Sequence, residues 1–296
     1  MRFKLRQIEV FRAFMLAGSV SGAARLLHIS QPAVSRLLKH TEISLGLQLF
    51  ERRGGRLIPT EISLNLFEEV KNVYQALLRV NEFVEYARLK PDGAVRICCS
   101  PSLGLSVVPS LVKKFHEQYP RASISLQTTL LKDMPNEILS EHVDIALAVL
   151  PIDRQHLISE ELFLGRFVCA VPKKHPLAKR SEICLKQLEK ENSILYPRGL
   201  PFGSLLHTAF SKYQCDITPS IEVPRAELAC SLVQKGLGIA IVDEFSVRDQ
   251  TWSEIEVLPL KEKITFSVSL LRSKFSELSE MSQNFIDLVH KEKASF

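Results

Sequence analysis

The stretch AARLLHISQPAVSRLLKHTE, Ala23 to Glu42, admits little besides two short helices joined by a tight turn. Ala23, Ala24, Leu26 and Leu27 give the first helix an apolar side, with Ser19 placed to cap it. After His28 and Ile29, Ser30 is the predicted N-cap of the second helix, and Gln31 and Pro32 stand in its first turn. Proline is tolerated there because first-turn amides have no intrahelical acceptor to lose. Val34, Leu37 and Leu38 form the buried stripe, which leaves Gln31, Pro32, Ser35, Arg36 and Lys39 on the opposite face. Upstream, Leu5, Ile8, Phe11, Phe14 and Met15 recur at helical spacing and predict a further helix, stopped by Gly18.

Charge is concentrated in this part of the chain. Residues 1–60 carry ten lysines and arginines against three glutamates, whereas the net charge of the whole chain is only +5. A basic head on a near-neutral body suits a polyanion-binding module with a separate task behind it. LFERRGGRLIPT reads as two short strands turning at Gly54-Gly55, with Arg52, Arg53 and Arg56 clustered about the turn. A basic hairpin beside a helix-turn-helix makes a wing that grips phosphates. A helix beginning with small polar residues suits the floor of a major groove: Gln31 reaches base edges, and Arg36 and Lys39 reach phosphates. The alternative for that face is an ordinary solvated helix surface.

At this point SVSGAARLLHISQPAVSRLLKHTEISLGLQLFERRGGRLIPT resembles the DNA-binding signature of the LysR-type transcriptional regulators: an alanine-rich helix, then S-Q-P-A-x-S-R, then L-G-x-x-L-F-x-R. His28 and Ile29 in the turn, and Ile43-Ser44 where the family usually has acidic residues, depart from the pattern and leave the scaffold intact. Residues 1–59 are thus expected to form a winged helix-turn-helix, binding double-stranded DNA through Ser30, Gln31, Pro32, Ser35, Arg36, Lys39, Arg52, Arg53 and Arg56.

Residues 60–89 contain no proline or glycine and open on Thr60, a suitable N-cap. Leu66, Val70, Val73, Leu77, Val80 and Val84 are spaced as a heptad seam, widened by Phe67 and Tyr74. This predicts a dimerisation helix, the alternative being a lone helix packed on its own domain. The resemblance implies homodimers that pair into homotetramers. KPDG, Lys90 to Gly93, is the predicted hinge.

Residues 91–296 alternate strand and helix, as in AVRICCS, SISLQTT and VDIALAVL, then GRFVCAVP, SILYP, SIEV and GIAIV, with ITFSVSLL and a last helix closing the chain. This α/β body resembles the two-lobed periplasmic-binding-protein fold, also the effector domain of LysR-type regulators. Lobe I is expected over about 91–164 and 267–296, and lobe II over about 165–266. In such sheets ligands sit beyond the carboxyl ends of the strands. Ser100 and Ser102 in SPSLG, Thr129, Tyr196 and Arg198 in YPRG, and Asp243 occupy those ends. The resemblance implies ligand contacts at Ser100 and Ser102, and puts Leu131 where a second-strand polar contact is usual, with Thr129 two residues earlier. Arg198 is either the partner of a ligand carboxylate or a surface-loop cation. Asp243 either holds an ammonium group or caps the helix that begins at EFSVRD. VQKGLGIAIVDE resembles the amino-acid- and opine-responsive branch, so the expected effector is a small carboxylate or amino-acid-like metabolite.

Other functions fit less of the chain. SPSLG is not a G-x-S-x-G elbow, GLGIA does not complete a dinucleotide fingerprint, and the eight histidines show no helical zinc spacing, so no enzyme, cofactor or metal is expected. A transport-type binding protein would explain the body alone, and a nucleoid architectural protein the head alone. No signal peptide or 18-residue apolar run stands out, and the six cysteines sit mostly in apolar runs as free thiols, which predicts a cytoplasmic protein without membrane contact. The resemblance implies that ligand alters how the heads engage DNA and RNA polymerase.

Overall fold

The computed structural model describes residues 3–89, 93–250 and 252–296, with the side chains of residues 75, 79, 81–89 and 250 outside that description. The chain divides into two compact units, Met1–Lys90 and Pro91–Phe296.

The first unit contains α1 (Leu5–Ala17), α2 (Val20–Leu26), α3 (Gln31–Leu45), β1 (Phe50–Arg53), β2 (Arg56–Pro59) and α4 (Glu61–Leu89). Gly18 and Gly46 end α1 and α3 at φ of +65° and +66°, the left-handed conformation that glycine adopts without strain. Ser19 caps α2 as expected, its Oγ accepting from the Gly22 amide at 3.1 Å. Phe11, Phe14 and Phe50 stack at the centre, the last two edge to face at 4.7 Å, with Val34, Leu38 and Leu49 around them. Glu42 accepts from the amides of Leu49 and Phe50, pinning the end of α3 to the first wing strand. Gly54 and Gly55, both at positive φ, make the two-residue turn between paired Arg53 and Arg56.

Helix α4 starts where its sequence indicated, with Thr60 Oγ1 accepting from the Ser63 amide. Its apolar seam, however, serves two purposes. Leu66, Phe67 and Val70 pack into the core formed by α1 and the wing, and Val70 is buried there. The Arg12 guanidinium lies 3.5 Å from the centre of the Tyr74 ring, so Tyr74 also faces α1. The seam is exposed only further along, with Val73, Leu77 and Val80 at 43, 49 and 58 %. The Val84 side chain and Lys90 to Asp92 of the expected hinge lie outside the described residues.

The second unit is built on one nine-stranded sheet. In chain order it comprises β3 (Ala94–Cys99), α5 (Val107–Gln118), β4 (Ser123–Thr128), α6 (Met134–Leu139), β5 (Ile145–Ala148) and β6 (Leu157–Pro172). There follow β7 (Ser193–Leu195), α7 (Pro201–Lys212), β8 (Pro219–Glu222), α8 (Ala226–Gln234), β9 (Ile239–Asp243), β10 (Ile255–Pro259), β11 (Thr265–Ser273) and α9 (Glu280–Glu292). One half holds β3 parallel to β4 and β5, and the other holds β7 parallel to β8 and β9. They meet on β6 and β11, which run antiparallel to each other with a bulge at Val268/Ser269. β6 is longer than GRFVCAVP suggested, because LISEELFL pairs with β11 despite its exposed glutamates. Strand β10, absent from the sequence reading, pairs with the second half of β6. Gly165 sits at this junction because a Cβ there would lie 2.6 Å from the Phe266 ring and 2.7 Å from Phe245. No helix among the described residues is long and apolar enough to cross a membrane.

Candidate functional site

Two surfaces gather the residues singled out above. On the first unit, Ser30, Gln31, Pro32, Ser35, Arg36 and Lys39 are all exposed, while Val34 and Leu38 are buried. The helical period therefore delivers one polar face to solvent. Ser30 occupies the N-cap position, but its hydroxyl makes no capping bond. Gln31 and Pro32 follow in the first turn, and Leu37 is half-buried. Arg52, Arg53 and Arg56 are exposed around the wing turn. Arg53 pairs with Glu51 at 2.9 Å, a contact that no local sequence pattern announces. Beside the start of α3, a shallow depression is lined by Ser21, Arg25, His28 and Gln31. It adds Arg25 and His28 to the basic surface. Their exposed positions in α2 and the turn were legible as polar breaks in an apolar helix.

On the second unit, a cleft of about 690 Å³ lies at the carboxyl ends of the strands. Ser100 and Ser102 follow β3, Val149 follows β5, Tyr196 follows β7, and Asp243 ends β9. Leu130, Leu131, Leu200 and Phe202 supply apolar walls. The first turns of α7 and α8 border the cleft and bring the positive ends of two helices to it. Arg225, Lys132 and Glu227 join Asp243 as the charged residues of the lining. Among the described residues no ion pair or hydrogen bond engages the side chain of Arg225 or of Lys132.

The hydrogen bonding at the buried end is specific. Ser100 donates its backbone N–H to Leu147 at 2.9 Å, and its Oγ accepts from the Val149 amide at 3.1 Å. Asp243 is 1 % exposed and accepts from the Ser246 hydroxyl at 2.8 Å and the Ser246 amide at 3.3 Å. The Ser102 hydroxyl, from the other half of the sheet, lies near enough to favour the carboxylate form. Burial nevertheless pushes the Asp243 carboxyl up from 3.8 to about 6, so desolvation outweighs these hydrogen bonds. Asp243 thus makes the capping contact considered above while also lining the cleft.

Two expected positions fall elsewhere. Thr129 does not line the cleft, although the three residues after it do: its amide donates to the Cys99 carbonyl at 2.9 Å, which ties it to the end of β3. Arg198 is exposed and also absent from the lining, although Tyr196 and Gly199 on either side of it belong to the lining. The cation at the cleft is Arg225, the N-cap residue of α8, together with Lys132. Following the chain two residues past SIEV would have found Arg225. Burial pushes the thiols of Cys98, Cys99, Cys169 and Cys230 up to about 12, as expected of inert packing groups.

The chain matches the model of the bacterial regulatory helix-turn-helix protein, lysR family, over residues 5–63, and that of the LysR substrate binding domain over residues 89–294. It is 34 % identical to the transcriptional activator protein LysR of Escherichia coli strain K12, over 95 % of this chain and 90 % of that one. It is also 34 % identical to the octopine catabolism/uptake operon regulatory protein OccR of Rhizobium meliloti, over 81 and 79 %. Among solved structures, full-length CbnR complexed with its target DNA superposes with a TM-score of 0.82 at 20 % identity, covering 97 % of this chain and 99 % of that one.

The Asp243 carboxyl makes stability pH-dependent with a definite sign. The folded chain holds a proton that the unfolded chain has released, so this group's contribution falls as pH rises from about 4 to about 6 and is flat above. Asp243→Asn should remove a decline of about 2–3 kcal/mol at roughly 1.4 kcal/mol per unit. Urea unfolding of both full-length proteins across that range measures it, and parallel pH profiles would refute it.

Proposed function

The chain belongs to the LysR family of bacterial transcriptional regulators, and from that premise we propose how its two units divide the work. It is a DNA-binding transcription regulator with an effector-binding body, and we read it as a regulator without catalytic activity, acting in the cytoplasm where its DNA is. The exposed start of α3 reads base edges: Gln31 is the direct reader, Ser30, Pro32 and Ser35 allow close approach, and Arg36 and Lys39 bind phosphates. Arg52, Arg53 and Arg56 grip the backbone from the wing. The exposed stripe Val73, Leu77 and Val80 pairs two copies, so that two heads read an interrupted palindrome, and such dimers join into tetramers.

The body binds a small amino-acid-like carboxylate. The observation that carries this is a largely apolar cleft bearing two unengaged cations, Arg225 and Lys132, together with two acids, Asp243 and Glu227. That charge pattern complements a zwitterion with an apolar middle. The octopine operon in OccR's name is in keeping with an effector of that kind. The ligand acts by favouring one arrangement of the heads over another, changing DNA geometry and the contact with RNA polymerase.

Gln31→Ala should lower discrimination between operator and random DNA by about 1–3 kcal/mol. Arg56→Ala should weaken both alike and flatten the salt slope by about one unit. Fluorescence anisotropy over a salt series separates the two, and equal losses for Gln31→Ala would remove it from the reading set.

Val73→Asp with Leu77→Asp should halve the mass seen by sedimentation, because carboxylates in an apolar seam must be desolvated against like charge. An unchanged oligomer would place the interface outside this stripe.

Arg225→Ala should weaken effector binding about 10- to 150-fold, from the value of a hydrogen bond to a charged group. Arg198→Ala should leave it unchanged. Thermal-shift screening of amino acids and related carboxylates on the full-length protein finds the ligand. Equal effects of the two variants would count against the cleft as drawn.

A further inference from the structure

Tyr196 is 7 % exposed, and its hydroxyl has no hydrogen-bond partner among the described residues. Two other buried side-chain oxygens share that condition, Ser267 Oγ and Ser269 Oγ, but neither lines the cleft. A buried phenol without a partner lowers folding stability, and phenylalanine would fill the same space without that penalty. The ring cannot easily turn its oxygen elsewhere, being packed edge to face on Phe202 at 5.5 Å. Burial first, then the nearby Asp243 charge, pushes the phenol well above its ordinary value, so it is a neutral donor. The Asp243 amide lies close enough to favour the phenolate slightly without reaching hydrogen-bonding geometry.

From the other half of the sheet, Ser100 faces the same cleft. Its Oγ accepts from Val149 and its own proton is given to no described residue. Two residues with hydroxyl groups, one from each half, thus line one cleft, and neither hydroxyl donates to a described residue. We propose that the Tyr196 hydroxyl is a specificity-determining donor, kept unsatisfied in the free protein for an uncharged oxygen acceptor on the ligand: an amide, ketone or hydroxyl oxygen. A second carboxylate is disfavoured at that point because Asp243 and Glu227 both raise the negative potential at the phenol. The ligand therefore carries its carboxylate toward Arg225 and Lys132 and a neutral oxygen at its buried end. This rests on the reading of the cleft as the effector site.

Tyr196→Phe in the full-length protein tests the assignment in two ways. Without ligand, removing an orphaned hydroxyl should raise Tm by about 2–4 °C. An unchanged or lower Tm would mean that the phenol is already satisfied, and would overturn the proposal. For binding, L-glutamine, L-glutamate and L-norvaline present an amide, a second carboxylate and no oxygen at similar chain length. Calorimetry should show wild type preferring the amide by about 10-fold over both others, and Tyr196→Phe abolishing that preference. A preference for glutamate or norvaline, or one that survives in Tyr196→Phe, overturns the proposal. If none of the three, nor any carboxylate of the wider screen, binds wild type at millimolar concentration, the carboxylate reading of the cleft fails, while the Tm comparison still decides the role of Tyr196.

Discussion

The antiparallel pairing of β6 with β11 is the constraint on which the body depends. β5 attaches to β11, and β9 and β10 attach to β6, so each half of the sheet hangs on the same two strands. A bulge at Val268/Ser269 bends the pair locally. Gly165 admits the rings of Phe245 and Phe266 against the strand, and these continue through Phe167 to Phe202 at the cleft wall. The parallel strands of both halves then end at one crevice. Ser100, Val149, Tyr196 and Asp243 meet there because each ends a strand or directly follows one, whatever its distance in sequence.

Inside that crevice, desolvation is the dominant electrostatic effect. Two hydrogen bonds from Ser246, with the Ser102 hydroxyl nearby, do not bring the Asp243 carboxyl back to an ordinary value, and the Tyr196 phenol is driven the same way. At the head the balance is reversed. The Glu51–Arg53 pair is exposed, and such pairs contribute about 1 kcal/mol or less, so it does little to hold Arg53 away from a phosphate. The buried aromatic core of Phe11, Phe14 and Phe50 stabilises the head, which leaves its cations available for binding. In the head, buried core and exposed cations are thus separate residues, whereas Tyr196 and Asp243 are both buried and part of the cleft lining.

The head was legible almost residue by residue. Its polar face follows from a period of 3.6 residues, its caps from Ser19 and Gly18, and its wing from Gly54-Gly55; each is a signal confined to a few neighbouring positions. The α/β alternation of the body was legible too, but the first half of β6 and all of β10 were not. Both are held by pairing with distant strands, and neither shows apolar alternation strong enough to stand alone.

The sequence by itself determined the class of the protein, the exposed polar face of α3 and the strand ends that line the cleft. Local periodicity, capping and charge suffice for these. Tertiary structure alone decided that Leu66 and Val70 serve the head's own core, that Thr129 and Arg198 stay out of the cleft lining, and that Arg225 and Lys132 stand in their place. It also decided that the Tyr196 hydroxyl is buried without a partner. The direction a loop takes after a strand, and the hydrogen bonds open to a buried group, depend on residues far away in the chain, and no local pattern encodes them.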